Sequence, residues 1–190
     1  MKKHASILRT ALFLSALFQG GAVLAAGEAA CLASKDKAAG VSTKVLKSYA
    51  EMDAGGGTVK GLSDRFCTFT TKDSFGMIGL DTLTSKSPSI AATYLLKGVK
   101  VDELEKLVPQ NYDGNPATIY CQGLAGSSIT RYTSGGFTTP GGQDEVCVFG
   151  DNSKISMWVL IYVSQSADYL SMRKAVKSEA LPLDLPYILP

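Results

Sequence analysis

The residues in this 190-residue chain with chemistry to offer are four cysteines, a few recurring acids and little else. Its one histidine, His4, falls within the first 25 residues, which read as a leader. The remainder then lacks the usual general base and the commonest metal ligand. Cys31, Cys67, Cys121 and Cys147 include no C-x-x-C pair of the kind that closes four thiolates on zinc. An even number of cysteines in an exported chain points to disulfides, and sequence alone leaves three pairings open. Asp64 with Asp144, and Asp73 with Asp151, recur in similar contexts. They are read as turn caps and strand ends ahead of paired catalytic carboxylates. No G-x-S-x-G elbow, S-x-x-K motif or metal-ligand spacing is present. Gly55-Gly56-Gly57-Thr58 lacks the Gly-Lys-Ser/Thr ending of a phosphate loop. No catalytic, cofactor-binding or metal-binding residue is assigned, and no cofactor is expected.

The leader reading rests on Lys2, Lys3 and Arg9, the apolar run ALFLSALF, and small residues up to Ala25. It expects a signal peptide at 1–25 and a bacterial periplasmic or secreted location. Lipid anchoring at Cys31 is disfavoured by Glu28-Ala29-Ala30, since a lipoprotein signal wants an aliphatic residue three places before the cysteine. The leader holds three basic side chains and no acid, so 19 Lys+Arg against 17 Asp+Glu becomes 16 against 17 after cleavage. The apparent basic balance belongs to the leader and gives no support to nucleic-acid binding. No later segment reaches the 18 apolar residues of a membrane span.

Stepping along the chain, Val41, Val45, Tyr49 and Met52 fall at helical intervals, and the glycines after Asp53 stop the run. Strands are expected at 58–60, 65–70 and 75–83, with Phe66 and Cys67 on opposite faces of the second. A helix is expected over Ile90 to Leu95, stopping near Gly98, and a short one over Asp102 to Val108. Asn115-Pro116 is a strong helix start, because Asn accepts free N–H groups and Pro fits the first turn. SSITRYT, DEVCVF and SMWVLIYV follow as strands, then a helix from about Ser166 to Ala180. Prolines at 182, 186 and 190 make the tail extended, its leucines docked on the body or on a second chain.

The two halves align around Tyr49/Tyr120, Asp64/Asp144, Cys67/Cys147 and Tyr94/Tyr169, with Ser134 to Gly142 as an insertion. The expectation is an α+β fold of two tandem small modules, 26–110 and 111–190. Each is a helix, a three-stranded antiparallel sheet and a second helix, stapled by a disulfide. Because Ala50 stands opposite Cys121, the repeat favours Cys31–Cys67 and Cys121–Cys147 as the pairing.

Asn115-Pro116-Ala117-x-x-Tyr120-Cys121, Gly123, Gly126, Cys147-Val148-Phe149-x-Asp151-x-Ser153 and Trp158 together resemble a small bacterial family. This is the domain of unknown function 333, whose members are often labelled hemolysins. The resemblance covers about fifty residues, 115–163, and implies an exported small α+β domain without implying a mechanism. The further cysteines that the family places around the tryptophan are absent here.

The functional expectation is a non-enzymatic exported protein with a binding or structural role, its partner another envelope or secreted protein. Phe137, Thr138 and Thr139, in the loop SGGFTTPGG, are its candidate contact residues. The alternatives are an inhibitor of an exported enzyme, and a histidine-free hydrolase or glycan-processing enzyme with two acids in one cleft.

Overall fold

The computed structural model describes residues 31, 43–52, 58–70, 75–133, 143–162 and 170–188. The leader at 1–25 and the loop residues Phe137, Thr138 and Thr139 lie outside them. Among these residues six strands dominate: β1 (Thr43–Met52), β2 (Thr58–Thr70), β3 (Phe75–Gly79), β4 (Ser128–Thr133), β5 (Gln143–Val148) and β6 (Lys154–Ser156). Between β3 and β4 run the helices α1 (Leu80–Thr84), α2 (Ile90–Lys97), α3 (Val101–Glu105) and α4 (Pro116–Gly123). After β6 come α5 (Met157–Tyr162) and α6 (Leu170–Ala175).

All strand pairs are antiparallel, and the sheet closes in the order β1-β2-β3-β6-β5-β4. Two meanders, β1-β2-β3 and β4-β5-β6, meet along two seams. One joins Ala50 and Glu51 to Thr133 and Tyr132; the other pairs Ile78 with Ile155. Closure removes the unpaired edges that either meander would present alone. The expectation of two tandem helix-sheet-helix modules is therefore wrong: this is a single six-stranded antiparallel barrel, and its halves share one sheet.

The strands expected at 58–60 and 65–70 are one, β2, and that expected at 75–83 ends at Gly79 where α1 begins; two further misread segments account for most of the error. The expected first helix is β1, paired with β2 from Thr43↔Thr70 to Ala50↔Ser63. Intervals of four are even, so they satisfy a strand's period of two as well as a helix's period, and long-range pairing decides. Conversely, SMWVLIYV is not a strand: β6 ends at Ser156, and Met157 to Tyr162 are helical. Met157, Val159, Leu160 and Ile161 are all buried, and such an unbroken apolar run carries no period. The internal repeat fails with the modules, since Tyr49 is on a strand and Tyr120 on a helix.

The barrel carries one core inside and a second on part of its outer face. Tyr49, Phe66, Met77, Tyr132 and Val146, one from each of β1 to β5, fill the interior. The Phe66 ring lies edge-on to Tyr132 at 4.9 Å and to Tyr49 at 5.9 Å. From β6, the buried Ser156 hydroxyl accepts the Met77 amide at 3.1 Å. The outer face contributes Cys67, Ile78, Cys147 and Ile155 to a second core beneath the helices. Both disulfides lie there: Cys31–Cys67 ties the N-terminal segment to β2, and Cys121–Cys147 ties α4 to β5. Closing loops of 36 and 26 residues stabilises the fold by roughly 3–4 kcal/mol each on a chain-entropy basis.

Helix ends are anchored by the barrel. Asn115 caps α4, its Oδ1 accepting Ala117 N at 3.1 Å, with Pro116 in the first turn. The β5–β6 turn caps α2 from outside: Asp151 Oδ2 accepts Ile90 N at 2.7 Å and Ser153 Oγ accepts Ala91 N at 3.0 Å. The tail docks on the same layer, Lys100 N donating to Tyr187 O at 2.7 Å and Tyr94 Oη to Pro186 O at 3.0 Å. No helix among the described residues is long and apolar enough to cross a membrane.

Candidate functional site

The polar residues that converge do so at one open end of the barrel. Asp64 faces inward because it stands opposite Tyr49 and two positions before Phe66, both interior residues. From β4, Tyr132 reaches past β1, and its Oη donates to Asp64 Oδ2 at 2.8 Å.

Lys154 completes the rim. Its main chain is gripped by Thr82 of α1, whose Oγ1 donates to Lys154 O at 3.1 Å and accepts Lys154 N at 3.3 Å. Gly79 makes this approach possible, since a Cβ there would lie 3.1 Å from Lys154 O. The ammonium is thereby directed inward. Nζ donates to Asn152 O at 3.1 Å and to Asn152 Oδ1 at 2.8 Å, and lies 3.5 Å from Asp64 Oδ2. Asn152 presents both oxygens from a left-handed backbone conformation (φ 63°), which Asn tolerates better than most residues.

The side chain of Lys154 is 9% exposed and that of Asp64 is 40% exposed, so a molecule arriving at the rim meets the carboxylate first. Burial, then the hydrogen bond to Asp64, then the charges of Asp64 and Glu51 raise the Tyr132 phenol well above its ordinary value. Tyr132 is thus a fixed donor, the opposite of an activated tyrosine.

Two adjoining clefts open on this network. One, of about 300 Å³, runs from the rim towards α1 past Arg65 and Asp81; the other, of about 240 Å³, lies over the mouth beside Glu51 and Leu62. They share Ser63, Asp64, Asn152 and Lys154.

The recurring acids have parted company. Asp151 is a cap, accepting Ser153 N at 3.0 Å as well as the α2 amide. Asp64 stands within β2 and Asp144 at the start of β5, and each has its own partners. Asp144 Oδ1 accepts Glu145 N at 2.9 Å, while its Oδ2 is buried without a hydrogen-bond partner. Burial pushes the Asp144 carboxyl up to about 7, against the opposing hydrogen bonds from Glu145 N and Ser156. Among the described residues no cluster of His, Cys, Asp and Glu is placed to hold a metal. Asp73 lies outside them.

Tyr132, Asn152 and Lys154 were invisible to motif reading. Lys154 left one trace, a single charge at the head of the apolar run Ile155 to Val163.

No protein-family model, curated protein or solved structure matches this chain. The hemolysin label attached to the domain-333 resemblance of residues 115–163 therefore has no support, and the internal repeat proposed beside it is overturned by the barrel.

Proposed function

We propose that this chain is an exported, non-enzymatic binding protein that takes a small polar ligand at the rim of its barrel. The observation that carries the reading is the Tyr132–Asp64–Lys154–Asn152 network, held in place by the barrel wall and opening on a cleft. Binding sites of this kind need few polar groups, provided their positions are locked by surrounding structure. Here Tyr132 is locked by Phe66, and Lys154 by Thr82 and Asn152. The two cystines suit an oxidising compartment, in keeping with the leader.

A histidine-free hydrolase would draw on Asp64 with Glu51 in one cleft, or with Asp81 in the other. Asp64 already accepts from Tyr132 and lies against Lys154, an arrangement that fixes the carboxylate in place.

The test is thermal melting of the disulfide-intact protein against a panel of small polar compounds at millimolar concentration. A ligand that binds only the folded state raises the melting temperature. At least one compound should do so in the wild type and not in Asp64→Asn. No response from any compound class would reject the reading.

A further inference from the structure

We infer that the larger cleft takes a small carboxylate that also carries hydroxyl or ammonium donors, with Arg65 receiving the carboxylate. The inference rests on the rim being a ligand site and names the class of ligand.

Arg65 stands on the outer face of β2, because its neighbours Asp64 and Phe66 turn into the barrel. It lines the cleft together with Asp81 and Thr82 of α1. Its Nη2 is buried and has no hydrogen-bond partner. The ion pairs among the described residues are Lys100–Glu103, Arg131–Glu145 and Lys154–Asp64, and Arg65 belongs to none of them. A charged donor left in this condition is unfavourable, and an incoming acceptor relieves it. The other cation of the cleft, Lys154, is already turned to Asn152 and Asp64. The unmet positive charge is therefore that of Arg65, and a planar guanidinium matches a carboxylate in two parallel hydrogen bonds. Arg65 as a whole is half-buried and lines the cleft, which places its guanidinium beside the space a ligand would fill.

The rest of the lining narrows the class. Asp81 is exposed and Asp64 half-exposed in the same cleft, so a bare anion meets two negative charges as well as Arg65. A molecule whose carboxylate is flanked by donors satisfies both signs at once. A volume of about 300 Å³ is at the small end of ligand pockets, which fits an α-amino or α-hydroxy acid.

Isothermal titration of the disulfide-intact protein with L-serine, glycerate, glycerol and inorganic phosphate tests this. Serine or glycerate should bind, which also tells an ammonium donor from a hydroxyl, while glycerol and phosphate should not. Arg65→Gln and Arg65→Lys should each weaken binding by roughly tenfold or more. If Arg65→Gln fails to fold, Arg65→Lys alone is decisive. Phosphate binding as tightly as the acid that binds, or that acid binding unchanged in the foldable variant, would overturn the inference. So would binding by glycerol alone, or failure of all four probes while other polar compounds stabilise the protein; both leave the rim standing as a ligand site.

Discussion

Tyr132 Oη and Asp64 Oδ2, 2.8 Å apart, join strands that are not neighbours in the barrel. The bond spans the interior above the Phe66 ring and sets the position of the carboxylate at the rim. Tyr132→Phe keeps the packing and removes the bond. Since the acceptor is a carboxylate and the tyrosine is buried, the loss should be about 1.5–3 kcal/mol, read from urea melts. A loss below about 0.5 kcal/mol would place the bond among ordinary surface contacts.

Asp64 and Lys154 should respond unequally to removal. The Lys154 ammonium is almost fully enclosed, and Asp64 is partly open to water. Asp64→Ala leaves a buried cation with only the dipoles of Asn152, whereas Lys154→Met leaves a carboxylate that water can still reach. Breaking a buried pair costs most when the stranded charge is the enclosed one. Asp64→Ala should therefore lower stability more than Lys154→Met, by at least about 1 kcal/mol in paired denaturant melts. The reverse order would contradict the geometry.

Asp144 predicts a dependence on pH. Its carboxyl is raised from 3.8 to about 7 in the folded chain, chiefly by burial. The native state thus holds a proton that the unfolded state releases, so stability falls as pH rises between about 4 and 7 and then levels off. The effect is at most about 4 kcal/mol, one pKa unit being worth about 1.4. Asp144→Asn should flatten the profile and be the more stable form at pH 8 (pH chosen as about one unit above the shifted value). Parallel wild-type and variant profiles would refute the assignment.

At Gly79 the chain passes close to Lys154 at the start of β6. A methyl group there would meet Lys154 O at 3.1 Å and Lys154 Cβ at 3.2 Å. The first is backbone held by Thr82, so it gives way poorly. Gly79→Ala should cost about 1–3 kcal/mol through overpacking and weaken ligand binding by displacing Lys154. An unchanged melt with unchanged binding would show that the seam can yield.

The local pieces of this fold were legible and their assembly was not. Asn115-Pro116 marks the start of α4 and alternation marks β4 and β5, because caps and strand periods are written in adjacent residues. The seams are different: Glu51 meets Tyr132 and Ile78 meets Ile155 across about eighty positions, and no local pattern announces them. β1 was hidden because its apolar spacing suits two periods, and α5 because its apolar run suits none. The site followed the same rule. Asp64 stood out as an acid, but Tyr132, Asn152 and Lys154 reach it only once the barrel is closed. An internal match between Asp64 and Asp144 suggested a repeat, where the structure has two interior acids with unrelated partners.

The polar rim is the proposed binding site of this protein. Chemical-shift mapping of isotope-labelled, disulfide-intact protein, titrated with the compound that most raises its melting temperature, tests it directly. The perturbed amides should cluster on Ser63, Asp64, Asn152 and Lys154, which both clefts share. Perturbations confined to α3, α6 or the docked tail, with those four amides unmoved, would contradict it.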